Sequence, residues 1–326
     1  MSESSESDSF ENSKTAEGCY RVERFNQVLQ KRYAMASLDL IGDQIITGIS
    51  IGGRLFLIAV GLSLIFGVLE ILNFAHGALY MIGAYAVITI IENAIGNFWV
   101  GVIAAGIAVG IVGVIMEAGF IRRVYDRDHL DQLLLTFAFV LMLTDGIRIV
   151  FGSGSHVINP PGGLRFTIAL GPNFAIPAYR AFVILMAIVA MAALLVVLRT
   201  TNIGRVVRAT STDRDMAQLL GINVPRLYTG VFFAGCVLAG IGGAFAAPLQ
   251  SVTPELGNQV IINAFVVVVI GGLGSFVGAF VGAMIIGLLI ALGSLVVAGA
   301  GQLFPFLAMI IVLLLRPQGL FGEAEG

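Results

Sequence analysis

Residues 61–85 read GLSLIFGVLEILNFAHGALYMIGAY. The stretch is apolar, yet it carries Glu70, Asn73 and His76 near its middle. A helix rises about 1.5 Å per residue, so roughly 20 apolar residues cross a hydrocarbon core. The stretch therefore has the length of a membrane span with a fault inside it. Polar side chains at membrane depth are costly and face protein or a water-filled cavity. Non-helical backbone is tolerated at that depth only in the same two settings. His76 is then either a packing residue or a group lining a path, and the residues alone leave both readings open.

The whole chain fits that setting. Of its 326 residues 58% are hydrophobic and 12% charged, against about 25% charged in a typical soluble domain. Mean hydropathy is +0.97. The 41 glycines suit close helix packing in lipid. A net charge of −2 gives no reason to expect a nucleic-acid partner. Cys19 lies in a polar segment and Cys236 in an apolar run, so neither a disulfide nor a metal site is expected.

Composition divides the chain into a polar acidic tail, 1–40, and a membrane domain, 41–322. Glu3, Glu6, Asp8, Glu11 and Glu17 against Lys14 give residues 1–18 a net charge of −4. Such a segment buries too little apolar area to order itself. It also lacks the basic start and short apolar core of a signal peptide. Residues 19–35 have the pattern of a short surface helix. Beyond them, apolar runs occupy 44–69, 71–91, 98–120, 132–151, 180–199, 227–247, 258–273 and 276–297, with a shorter run at 303–315. The expectation is an all-α integral membrane protein, a polytopic bundle of about 8 transmembrane helices (range 7–10), with a broken or re-entrant segment near 70–78. Nothing alternates with the two-residue period of a membrane barrel.

Arginine sets the orientation. Arg122, Arg123 and Arg127 occupy the 121–131 loop, and Arg199, Arg205, Arg208, Arg214 and Arg226 the 199–226 loop. Both loops are cytoplasmic under the positive-inside rule. The Gly- and Pro-rich 152–179 loop is then external. Two complete spans over 44–91 would put the amino terminus outside, whereas Arg21, Arg24, Lys31 and Arg32 argue for the inside. A re-entrant segment at 73–77 would reconcile the two.

Other charges sit near span ends: Glu92, Glu117, and Asp145 with Arg148, spaced to pair at i, i+3. His129 and His156 fall in expected loops without metal-spaced partners. In the basic loop, Thr212 or Asp213 can cap a helix that holds Asp215 in its first turn and ends at Gly221. Its apolar residues are Ala217, Leu219 and Leu220. This helix suits either docking to a cytoplasmic partner or resting on lipid headgroups. Residues 271–278, GGLGSFVG, suggest a phosphate loop, but that chemistry needs a nearby lysine. The only lysines are Lys14 and Lys31, so tight helix packing is the plainer reading. Gly235-x-x-x-Ala239 is likewise a packing pattern.

The run Asn73-Phe74-Ala75-His76-Gly77, followed by Tyr80-Met81-Ile82-Gly83-Ala84-Tyr85, resembles the signature of the branched-chain amino acid permeases of ATP-binding-cassette importers. The H-type (Liv-type) membrane subunit is the nearest form, and the resemblance covers about residues 44–322. Ala78 departs from it, since many relatives carry an acidic residue there. Asp215-Met216-Ala217 with Gly221 is similar to the family's Glu-Ala-Ala-x-x-x-Gly coupling loop, with Asp for Glu and Met for the first Ala.

The resemblance implies a cell-membrane permease with no enzymatic activity, cofactor or metal of its own. It implies a translocation path formed by Asn73, Phe74, Ala75, His76 and Gly77 with Gly271, Gly272, Gly274 and Ser275. ATPase coupling would fall to Arg208, Asp213, Asp215, Ala217, Gly221 and Ile222 in the 200–226 loop. The implied partners are a homologous M-type permease subunit in a heterodimer (or a second copy in a homodimer), two cytoplasmic ABC ATPase subunits, an extracytoplasmic substrate-binding protein and membrane lipid. Branched-chain amino acids are the expected substrate, with urea or short amides as an alternative within the family. An ion-coupled secondary amino acid transporter is a further alternative. It would need coupling carboxylates at the midplane, and the sequence offers no ladder of them.

Overall fold

The computed structural model describes residues 40–93, 96–171, 174–296 and 299–322. The expected tail and its short surface helix lie outside these, save Leu40, which opens the first helix. Apolar runs become helices because a helix satisfies its backbone donors and acceptors internally. Eleven α-helices occur among the described residues: α1 Leu40–Leu69, α2 His76–Asn93, α3 Phe98–Gly119, α4 His129–Phe151, α5 Ala178–Thr200, α6 Asn202–Thr212, α7 Arg214–Leu219, α8 Val224–Ala246, α9 Leu256–Gly271, α10 Phe276–Val296 and α11 Leu303–Leu315. Helices α1, α3, α4, α5, α8 and α10 are long and apolar enough to cross a membrane. Helices α2, α9 and α11 are shorter apolar helices. The bundle is all-α and polytopic, as expected.

The break expected near 70–78 is present, and two details differ from the sequence reading. The run 71–91 yields a helix only from His76, because residues 70–75 leave the helical path. The 152–177 connection holds a hairpin, in which β1, Thr167–Gly171, pairs antiparallel with β2, Phe174–Pro177. Both strands are short apolar segments flanking Pro172 and Asn173, too brief to register beside the long helical runs. His129 is also not in a loop: it is the first residue of α4.

Helix α1 is the centre of the bundle. Its apolar window is 78% buried, against 28% for α4 and 22% for α5, which lie at the periphery. Small residues set the packing around it. Gly106, Gly110 and Gly113 of α3 admit Ile241, Phe233 and Cys236 of α8; a methyl on Gly106 would come within 2.9 Å of Ile241. Gly235 faces Ile65 and Gly61 of α1, and Ala239 is fully buried. The small-xxx-small reading of that segment is therefore a packing surface, as dispersion-driven helix association in lipid requires.

Side-chain contacts fix which ends share a face. Arg214 of α7 pairs with Asp126 at 3.2 Å, so the two arginine-rich loops lie together. Arg180 at the start of α5 donates to Thr47 near the start of α1 at 2.8 Å. Helix α1 therefore enters from the hairpin face and ends on the arginine-rich face. With the arginine-rich face cytoplasmic, as the positive-inside rule expects, that direction would start α1 on the opposite side of the membrane.

Candidate functional site

The break after α1 is built from packing contacts. Leu69 ends the helix and Glu70 adopts φ 57°, the left-handed region, uniquely for a non-glycine among the described residues. Such a backbone costs a non-glycine residue about 1–3 kcal/mol and persists where its surroundings enforce it. Helix α2 then starts at His76, whose N–H donates to the Asn73 carbonyl at 3.2 Å. The Thr136 hydroxyl of α4 reaches the Leu72 carbonyl at 3.4 Å.

Asn73 and His76 are wholly buried, and none of their side-chain nitrogen or oxygen atoms has a hydrogen-bond partner among the described residues. The imidazole packs over Gly61, where a methyl would stand 2.8 Å from Nε2. Phe74 stacks on Phe265 of α9 with ring centroids 4.6 Å apart. Ala75 is fully buried. Gly77 backs onto Gly257 and Ile261 so closely that any Cβ would overlap the Gly257 carbonyl oxygen.

The glycine-rich turn between α9 and α10 lies against α1 just before this break. Gly272 and Gly274 take φ values of 101° and 79°, which side-chain-bearing residues rarely adopt. The carboxy-terminal segment covers Gly271 and Gly272: Leu320 and Phe321 donate to the carbonyls of Ile270 and Gly271 at 2.8 and 3.0 Å. Ser275 accepts from the Gly278 N–H at 3.1 Å and so opens α10. A methyl on Gly67 would lie 3.2 Å from the Gly274 Cα. The two groups of expected path residues therefore border the same region; Asn73, Ala75, His76, Gly77, Gly271 and Gly272 are buried, and Phe74, Gly274 and Ser275 are half-buried. They are not among the residues lining the two polar cavities described next.

A polar cavity that sequence reasoning missed lies beside them. Arg54, midway along α1, points into a half-open space of about 160 Å³. Tyr80, Gln250, Gln259, Asn263 and Gln302 share its lining, with Ile51, Leu55, Val260 and Ile290 as its apolar wall. A second space of about 370 Å³ adjoins it along Gln259, Asn263, Gln302 and Phe306. The signal that could have found it is a lone arginine halfway along an apolar run, a functional hypothesis by default in a membrane segment.

On the arginine-rich face, the loop forms two helices. Asp213 ends α6 and caps α7, its carboxylate accepting from the Met216 N–H at 2.9 Å. Gly221 closes α7 with φ 85° and open space where a Cβ would be. The expected apolar face of α7 is split. Ala217 is 2% exposed while Met216, Leu219 and Leu220 are 53%, 82% and 75% exposed. Residues 217 and 219 lie about 200° apart around a helix of 3.6 residues per turn, so one faces the bundle and the other does not. Arg208, Asp213 and Asp215 are exposed and Ile222 is half-buried. The Arg208 guanidinium holds the Leu198 carbonyl at the end of α5.

A buried carboxylate braces this face. Glu117 is fully buried and accepts from Arg122 twice at 3.1 Å, from Tyr125 at 2.7 Å and from Thr229 of α8 at 2.8 Å. Burial pushes the Tyr125 phenol well above its ordinary range, and the hydrogen bond to Glu117 raises it further. Among the described residues no three His, Cys, Asp or Glu side chains are grouped to hold a metal.

Residues 44–314 match the family described as branched-chain amino acid transport system / permease component. The chain is 30% identical over 295 residues to the high-affinity branched-chain amino acid transport system permease protein LivH of Escherichia coli (strain K12), covering 86% of this chain and 96% of that one. It is 28% identical over 294 residues to the permease protein BraD of the corresponding high-affinity system of Pseudomonas aeruginosa, with the same coverages. It is 26% identical over 283 residues to the probable branched-chain amino acid transport permease protein LivH of Methanocaldococcus jannaschii, covering 82% of this chain and 88% of that one. No solved structure matches the chain.

Proposed function

The chain belongs to the branched-chain amino acid transport system permease family, and on that premise we propose that it carries branched-chain amino acids inward as one permease subunit of an ATP-driven importer. The observation that carries this reading is the match along nearly the whole membrane domain, residues 44–314, to relatives whose names specify that cargo. A single bundle does not enclose the path. A homologous M-type permease would complete it, two cytoplasmic ATPases would power it, and an extracytoplasmic binding protein would deliver substrate to the hairpin face.

In this reading α7 is the coupling element. It is a capped helix on the arginine-rich face, and it projects Met216, Leu219 and Leu220 away from the bundle. Large exposed apolar side chains beside Asp213 and Asp215 suit a protein cleft. ATP binding would close the ATPases around one arrangement of the permease. Their differential affinity for the two arrangements would shift it between outward- and inward-facing states. Glu117, tying α3 to α8 through Thr229, would carry that movement into the bundle as a rigid connection.

Competition of labelled leucine uptake in vesicles holding the full complex tests the cargo. Excess isoleucine and valine should abolish the uptake, and urea and acetamide should leave it unchanged. Inhibition by urea or acetamide instead would assign the chain to the amide-carrying members of the family.

A further inference from the structure

We propose that Arg54 is the carboxylate-recognising residue of a substrate site within the membrane, in which the side-chain amides around it receive the substrate's ammonium group. This deepens the reading of the chain as an amino acid permease and rests on it.

Arg54 lies midway along the most buried helix, with Tyr80 beside it. Its Nη1 donates to Gln250 at 3.0 Å, while its buried Nε, like the buried Gln250 amide nitrogen, has no partner among the described residues. Five ion pairs form among the described residues, and neither Arg54 nor Arg180 belongs to any of them. A guanidinium held inside a membrane bundle without a carboxylate is costly, and such residues mark substrate pathways. A ligand carboxylate would supply the missing charge and accept from the unpaired donors. Arg presents these donors as a planar fork that matches a carboxylate.

Asn263 Nδ2 leans toward the Gln259 carbonyl and Gln302 Oε1 at 3.4 and 3.5 Å, which leaves Asn263 Oδ1 and Gln259 Oε1, unpartnered among the described residues, as acceptors for an ammonium. Ile51, Leu55, Val260 and Ile290 give the same cavity an apolar wall. A zwitterion with a branched apolar side chain presents those three chemistries together. The cavity also lies in the hairpin half of the bundle. Gln250 leads into a segment in which Val252 pairs with His156 and Glu255 bonds Arg148 at the end of α4. Substrate arriving on the hairpin face would meet it before the packed region at residues 73–77.

The test uses the complete transporter in proteoliposomes, with leucine uptake and binding-protein-stimulated ATPase activity measured in parallel. Arg54→Gln should lose leucine uptake about thirty-fold or more, the loss expected when one partner of a desolvated charge pair is removed, with the ATPase measurement reporting that the complex has assembled. Arg54→Lys should retain part of the uptake with a raised KM, since it keeps the charge but not the fork. A second measurement covers failure of these variants to fold. With Arg54 intact and Cys19 and Cys236 replaced by serine, Asn263→Cys should be alkylated by a maleimide. Leucine should slow this labelling and leucinamide, lacking the carboxylate, should not. Equal protection by both compounds, or wild-type uptake by Arg54→Gln, would overturn the site while leaving the permease reading intact. A wild-type complex that takes up no leucine would overturn both.

Discussion

Arg214 of α7 pairs with Asp126 of the loop before α4 at 3.2 Å, and its guanidinium also lies 5.7 Å from the ring centre of Tyr228 on α8. One residue thus joins the short capped helix to two neighbouring elements of the bundle. That relationship fixes α7 to the membrane helices, as the proposed coupling role would require.

That role predicts a separation of folding from coupling. Leu219 is 82% exposed, so Leu219→Asp should insert and express normally. It should abolish ATPase co-purification and ATP-driven uptake. Gly221→Val places a β-branched residue at φ 85°, a strain of about 1–2 kcal/mol confined to the end of α7. It should lower uptake per molecule with unchanged membrane insertion. Uptake assays beside quantitative immunoblots of the membrane fraction check both variants.

The Glu117 cluster predicts a stability loss. Glu117→Ala leaves the Tyr125 hydroxyl without its buried acceptor, at a cost of about 1–3 kcal/mol, while the Thr229 hydroxyl can turn to the Pro225 carbonyl. Arg122 is 39% exposed at its side chain and can turn to water, so the loss should stay below that of a fully buried pair. A lowered thermal midpoint in detergent is the expected readout.

Tyr125 predicts an alkaline limb. Its phenol is raised in the folded state by burial and by Glu117, so the folded protein holds that proton more tightly than the unfolded chain does. The resulting stabilisation is complete below the ordinary phenol pKa of about 10 and is lost as pH rises beyond it. Thermal midpoints should therefore fall above about pH 10 in the wild type and fall less steeply in Tyr125→Phe. Parallel slopes would remove Tyr125 from the account.

Close packing at Gly61 predicts opposite outcomes for neighbours. A methyl there would meet the Gly235 carbonyl at 2.6 Å and His76 Nε2 at 2.8 Å, so Gly61→Ala should destabilise by about 1–3 kcal/mol. His76→Leu removes two buried nitrogens that lack hydrogen-bond partners among the described residues, and should leave the thermal midpoint unchanged or higher. Uptake by His76→Leu then separates a path role for the imidazole from a packing role.

The direction of α1 predicts labelling of the tail. Thr47 bonds Arg180 on the hairpin face, so α1 begins on that face. With Cys236 replaced by serine, an impermeant maleimide should reach Cys19 from outside intact cells. Labelling confined to inverted vesicles would contradict this direction.

Much of this was legible in the sequence. Apolar length located the helices, the polar trio Glu70, Asn73 and His76 marked the break, and Asp213 with Gly221 delimited α7. What stayed hidden depends on long-range assembly. Arg54 and Gln250 touch across 196 residues, and Asn263 meets Gln302 from another helix. No local period records such a cavity. Ala217 and Leu219 were read as one face because a six-residue helix gives too little sequence to fix its phase. The entry side of α1 stayed open in the sequence because the basic residues before Leu40 and those of the two later loops pull in opposite directions.

The central claim is that this chain moves its cargo only through partners that hydrolyse ATP. Uptake of labelled leucine into proteoliposomes, with the ATPase side accessible and no ion gradient, tests it most directly. The account predicts accumulation that requires ATP, the ATPase subunits and loaded binding protein together. Accumulation by this chain without the ATPases, driven by a proton or sodium gradient, would contradict it.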